Sequence, residues 1–191
     1  MLWCIGQIQT CVVVLQHNLI SSAAAVSSMV QLRHIDFSHN LLTCLQPLAL
    51  LEGLEQLCVD SNRISNLAPI SGLSGLMELY AAHNLLASMH VFAAIADLAK
   101  LFVADFRGNA MATMEDYTQY AVFRLRRLCV LDGETVSAAQ QAAARSKFVG
   151  RLTMEFLEER APCTRWSACA FLPPLLPNHT ERSIAHTANV E

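Results

Sequence analysis

The chain has 191 residues, 53% hydrophobic and 15% charged, which is material for one domain with a core and a tail. Its formal charge of −3 excludes a nucleic-acid binder that works by general phosphate neutralisation. Seven glycines and six prolines exclude a low-complexity or collagen-like chain, and seven scattered cysteines with no CxxC pair read as apolar thiols of a reducing compartment rather than as a zinc site.

No charged side chain precedes Arg33, and Gln7, Gln9, Gln16, His17 and Asn18 interrupt the apolar runs of that stretch. A secretory signal needs a basic start and an unbroken apolar core, and a membrane span needs roughly 20 mostly apolar residues. Neither is expected here.

A repeat explains these apolar positions better. Asn18, Asn40, Asn62 and Asn84 are evenly spaced, and Asn109 follows after a slightly longer step. Each closes the same frame of three apolar positions: Leu32, Ile35 and Phe37 before Asn40; Leu54, Leu57 and Val59 before Asn62; Leu76, Leu79 and Ala81 before Asn84; Leu101, Ala104 and Phe106 before Asn109. The first copy is degraded to Thr10, Val13 and Leu15 before Asn18. After each Asn an apolar residue recurs every third position, as in Leu42, Leu45, Leu48, Leu51 and Leu54, or Ile20, Ala23, Val26, Met29 and Leu32.

The alternating triplet predicts a short strand with its inward side chains in the core. The period of three predicts an extended or 3-10 return. Stacked coils of this kind form a parallel sheet, and stacking buries what one coil cannot. The recurring Asn stands where the chain leaves the strand, and its amide can satisfy backbone groups there and bridge to a neighbouring coil. Asn18, Asn40, Asn62, Asn84 and Asn109 are therefore expected to form a buried structural ladder.

Residues 1–112 thus read as five repeats, 113–136 as a cap, 137–160 as a helical extension and 161–191 as a disordered tail or gene-model artefact. In the cap, Thr113 with Asp116 has the form of a capping box before Tyr117, Tyr120, Ala121, Leu125 and Leu128 at helical spacing. Leu128 to Gly133 reads as a last short strand and turn. Ser137 with Gln140 forms a second capping box before an Ala-rich helix running to about Arg160. Pro162, Pro173, Pro174 and Pro177 break any helix in the tail, and its Asn178-His179-Thr180 is a sequon of the kind that arises by chance. With no capping segment ahead of the first repeat, the chain reads as a fragment of something longer.

These short copies resemble the short leucine-rich-repeat class. That class includes a nuclear regulatory subunit of type-1 protein phosphatase, a spliceosomal component, and ciliary and dynein-arm scaffold proteins. Tyr117, Leu125, Leu128, Leu131, Asp132 and Gly133 are similar to its C-terminal cap, with departures at Ala110, Thr118 and Arg126. The extension from Ser137 to Arg160 is similar to inter-block segments of long, multi-block proteins of the leucine-rich-repeat-containing protein nine type. The resemblance implies an α/β solenoid with a parallel sheet on its concave face, short 3-10 or helical returns and a helical cap. It brings no catalytic residues.

On such a solenoid the outward strand positions are Val12, Val14 and Gln16; His34, Asp36 and Ser38; Gln56, Cys58 and Asp60; Glu78, Tyr80 and Ala82; Val103, Asp105 and Arg107. Asp36, Asp60, Glu78 and Asp105 against Arg107 make this face acidic around Tyr80, an expected docking surface for a basic partner segment. His17, His39 and His83 each precede the ladder Asn; a polar turn residue duplicated with the repeat explains them better than a metal site, since two ligands fall short of zinc's three or four. Glu115 and Asp116 read as helix-opening acids, and Arg124, Arg126 and Arg127 as a solvated cap face.

The sequence contains no GxSxG, Walker, HExxH or dinucleotide motif. The expectation is a non-enzymatic, cytoplasmic interaction scaffold with no cofactor, metal, small-molecule substrate or membrane. The resemblance places it in a ciliary or cytoskeletal setting. A regulatory subunit docking on a phosphatase, or a ribonucleoprotein component, stands as the alternative.

Overall fold

The structure, a computed structural model, describes residues 11–148. Thr10 of the first frame, residues 149–160 of the expected extension, the sequon and the rest of the tail lie outside the described residues.

Each apolar triplet forms a strand of three residues: β1 (Val12–Val14), β2 (His34–Asp36), β3 (Gln56–Cys58), β4 (Glu78–Tyr80) and β5 (Val103–Asp105). They pair in parallel and in sequence order. The constant repeat length fixes the register, because His34 pairs with Gln56 and Gln56 with Glu78, each exactly one repeat further along the chain. Between β4 and β5 the step is longer, with Glu78 opposite Val103. The extra residues of that fourth coil fall on its return. The earlier returns are 3-10 turns at Ala24–Val26, Gln46–Leu48 and Ala68–Ile70, and the longer one contains a helical turn, α1 (Val91–Ala94). Pro47 and Pro69 open two of the 3-10 turns, where a fixed φ helps and the missing N–H is not needed.

The every-third series packs inward as the period requires. Leu42, Leu45, Leu48, Leu51 and Leu54, and Ile64, Leu67, Ile70, Leu73 and Leu76, are completely buried. Each such side chain contributes about 2 kcal/mol of transfer free energy. One expected core position departs: Met29 is 42% exposed. It lies on the outermost described coil, as do Val12 and Val14, whose inner neighbours Val13 and Leu15 are only partly buried.

The cap turns the chain across the far end of the stack. A 3-10 turn at Ala110–Thr113 leads to α2 (Tyr117–Arg124), then β6 (Val130–Leu131), which extends the parallel sheet next to β5. A hairpin through Asp132 and Gly133, both left-handed, brings β7 (Glu134–Thr135) back antiparallel to β6; the sequence showed the turn but not this return strand. Helix α3 (Ala138–Phe148) packs on α2. Phe148 meets Tyr120 edge-on at 5.5 Å, and Phe92 meets Phe106 in the same way, tying α3 through the cap to the fourth and fifth coils.

The two expected capping boxes fare differently. The Ser137 hydroxyl accepts from the Gln140 amide at 3.2 Å, and the Gln140 side-chain oxygen accepts from the Ser137 N–H at 2.8 Å, so that box forms. The Thr113–Asp116 box does not. Thr113 ends the preceding 3-10 turn and donates to the Ala110 carbonyl, while Asp116 is the N-cap of α2 in a left-handed conformation with no side-chain cap bond. Its carboxylate is taken by Lys147 from α3.

Candidate functional site

The register sets the outward side chains in three rows across the sheet. One row runs Val12, His34, Gln56, Glu78, Val103. The next runs Val14, Asp36, Cys58, Tyr80, Asp105. The third lies just past the strands and consists of Gln16, Ser38, Asp60, Ala82 and Arg107. Between the first two rows the inward line of Ile35, Leu57, Leu79 and Ala104 is buried, so the sheet separates core from face as the alternation requires.

Bonds within and between the coils hold the face in place. His34 Nδ1 lies 2.9 Å from Gln56 Oε1 on the next strand, and Tyr80 donates to Glu78 at 3.1 Å. Asp36 accepts from the Ser38 amide at 2.8 Å, and Asp60 from the Ala82 amide of the next coil at 2.7 Å. Three expected outward residues, Ser38, Ala82 and Asp105, are not open. Ser38 is buried, with its amide on Asp36 and its carbonyl accepting from the His17 N–H. Asp105 is buried beneath Arg107, whose Nε reaches both carboxylate oxygens at 3.0 Å and whose Nη2 also donates. Burial works against charge on Asp105, but the bonds from Arg107 outweigh it and hold the carboxyl below its usual range.

The open acids of the face are therefore Asp36, Asp60 and Glu78, and they surround Cys58. Burial first, then these three carboxylates, push the Cys58 thiol up to about 12, so it stays protonated and unreactive at neutral pH. Burial, and then the bond to Glu78, raise the Tyr80 hydroxyl to about 12. Asp60 is itself raised, chiefly by burial. No reacting group comes out of this arrangement. What it offers is a tyrosine and a thiol ringed by negative charge.

Beneath the face lies the Asn ladder. Asn62 Nδ2 donates to Phe37 O of the coil before (2.9 Å) and to Val59 O and Asp60 O of its own coil, while its Oδ1 accepts from the Leu42 amide at 2.9 Å. Asn40, Asn84 and Asn109 repeat the pattern, and all four are buried. Asn18 does not belong to the buried set. It stands on the outermost described coil, is exposed and, among the described residues, bonds to Leu15 O and Gln16 O.

The residue before each Asn is left-handed: His17, His39, Ser61 and His83 have φ between 52 and 57°, and Gly108 has 70°. The rings of His17 and His39 stack in parallel at 4.3 Å. Their in-plane lone pairs therefore do not converge on one ion, and among the described residues no group of three or more His, Cys, Asp and Glu could hold a metal. Sequence reasoning missed two features, the left-handed turn and the Asp105–Arg107 pair. Opposite charges two positions apart on one strand face were the available signal for the pair.

The cap has its own half-buried acid. Asp132 accepts from the Phe106 amide (2.7 Å) and the Tyr117 hydroxyl (2.9 Å), and burial raises it above the usual carboxylate range. It locks β6 and α2 to the fifth coil. Among the described residues no helix is long and apolar enough to cross a membrane.

A family model described as leucine-rich repeat matches residues 16–161. A search of curated proteins finds no match. Among solved structures, the Drosophila melanogaster SNF/U2A' complex contains a chain 22% identical to this one, over 78% of this chain and 87% of that one, with a TM-score of 0.66. An internalin (inlF) of Listeria monocytogenes str. 4b F2365 is 21% identical over 64% of this chain, with a TM-score of 0.56. The internalin C2 of the same strain is 23% identical over 59%, with a TM-score of 0.51. The chain spans 34% of the length of the first internalin and 46% of the second. At these identities the likeness is one of fold.

Proposed function

Because the chain belongs to the leucine-rich-repeat family, we propose that it is a non-catalytic protein-interaction scaffold whose outward sheet face takes a basic segment of a partner protein. One observation carries this reading: Asp36, Asp60 and Glu78 converge around Cys58, while the one basic group among the outward strand positions, Arg107, is engaged by Asp105. An acidic face with a central tyrosine attracts cationic side chains and gives them an aromatic surface to pack on. The same charge disfavours nucleic acid and anionic substrates at this face. A cytoplasmic setting rests on the scattered cysteines, and a ciliary or cytoskeletal one on the resemblance of the repeats alone. Phosphatase regulation rests on it equally. A role in a ribonucleoprotein has one further support, the overlap of this chain with most of a chain in the SNF/U2A' complex.

The test is affinity purification of the full chain read by mass spectrometry, comparing wild type with an Asp36→Asn/Asp60→Asn/Glu78→Gln variant. The amide replacements keep the acceptors that bind the Ser38 and Ala82 N–H groups. A Glu52→Lys/Asp97→Lys variant, changed at exposed positions on the returns, is the control. The expected outcome is a partner retained by wild type and control and lost from the face variant; its identity chooses among scaffold, phosphatase and ribonucleoprotein. Identical partner sets from all three proteins would remove the face from the function.

A further inference from the structure

The acids of the face do not stand alone at its border. Four histidines accompany them. His34 lies in the outer row, bonded to Gln56. His17, His39 and His83 occupy the rim, each one position past the third row and each held by its backbone to the coil after it: His17 N–H to Ser38 O, His39 N–H to Asp60 O, and His83 N–H to Arg107 O. His39 is close enough to Asp60, and His83 to Asp105, for an imidazolium charge to act on those carboxyls. The three rim rings are solvent-exposed. The remaining charges of the face are Asp36 and Glu78, which act on Cys58, and Arg107, on which Asp105, Asp132 and Asp60 act.

Histidine changes charge between roughly pH 5 and 8, where carboxylates and lysines hold theirs. We propose that these histidines make the scaffold's docking face pH-sensitive: acidification places imidazolium charge at the rim beside Asp60 and in the outer row beside Asp36, and releases a basic partner. The inference rests on the reading of this face as the docking surface and adds its regulation. The charges set the sign. With neutral imidazoles, the three open carboxylates give the face a charge of −3, since Asp105 and Arg107 cancel. Protonated, His34, His83 and one ring of the stacked His17–His39 pair would offset all of it. A second charge in the stack sets two cations face to face at 4.3 Å, so acid also works against the His17–His39 contact.

The probe is a fluorescent oligolysine peptide, whose charge does not change across the window, bound to the full chain at low ionic strength. Wild type is expected to bind about tenfold more weakly near pH 5.5 than near pH 7.5. A His17→Asn/His39→Asn/His83→Asn variant is expected to change less than about threefold, asparagine being the residue besides glycine that best tolerates the left-handed turn. The Asp36→Asn/Asp60→Asn/Glu78→Gln variant should bind weakly at both values. Peptide binding that depends on the acids but weakens equally in wild type and the histidine variant overturns the switch and leaves the docking face standing. Failure of wild type to bind near pH 7.5 overturns both. A histidine NMR titration of wild type with and without peptide gives a reading independent of any variant: linkage requires bound peptide to shift rim-histidine titration to lower pH, and no shift overturns the switch.

Discussion

Asn62 makes four hydrogen bonds from one buried side chain, two to groups of the coil before and two within its own coil. Asn62→Ala leaves the Leu42 N–H and the Phe37 carbonyl without this partner in a site closed to water, so the expected loss is about 3 kcal/mol of unfolding free energy. Asn18→Ala removes two local bonds on an exposed residue and is expected to cost under about 1 kcal/mol. Urea denaturation of both variants checks this, and equal losses would mean that the ladder owes nothing to burial. The ladder positions were legible because the interval between them is a property of the sequence. The left-handed residue before each Asn was not: His17, His39 and His83 carry no glycine signal, and only Gly108 shows what that position demands. A Cβ there would lie 2.3 Å from His83 Nδ1, so the His83 ring occupies the space a side chain would need.

At the scale of elements, the strands and returns follow from period alone, and the cap shows where period stops helping. Thr113–Asp116 and Ser137–Gln140 have the same motif form, yet only the second becomes a capping box. The difference is nonlocal. Lys147, far along the chain at the end of α3, engages the Asp116 carboxylate, and Asp116 adopts a left-handed conformation that starts α2 at Tyr117 rather than beside Thr113. Ser137→Ala should therefore cost about 1 kcal/mol, the worth of a helix N-cap, and Thr113→Ala less than about half of that. Thermal unfolding of the two variants measures the contrast; a larger loss at Thr113 would show that its bond to the Ala110 carbonyl, not a cap, holds the turn. The β6–β7 hairpin escaped sequence reading for a related reason. β7 is two exposed residues long, and its pairing to β6 follows from the Asp132–Gly133 turn rather than from any apolar alternation.

The whole molecule behaves as a stack in which each coil is covered by its neighbours, so the stability of a coil depends on its place. The face was legible as acidic because its rows follow from the strand register. Its effective charge was not, since that depends on Arg107 folding back over Asp105. The same dependence on neighbours sets the dynamics. Leu57 and Val59 in the third coil are completely buried, whereas Val13 and Leu15, at the same positions of the outermost described coil, are only partly buried. The amides of Leu15 and Val59 make the same kind of bond to the next strand, at 2.8 Å to Asp36 O and 2.8 Å to Tyr80 O. Bond geometry therefore predicts equal protection from hydrogen exchange, and packing predicts a gradient. Opening the first coil exposes few fully buried side chains, while opening the third separates two interfaces of fully buried ones. The Leu15 amide is accordingly expected to exchange on the order of a hundredfold faster than that of Val59. Equal rates would mean that coils one to five open as a single unit. The rim pair His17–His39 would then report on the stability of the entire sheet rather than on its first two coils.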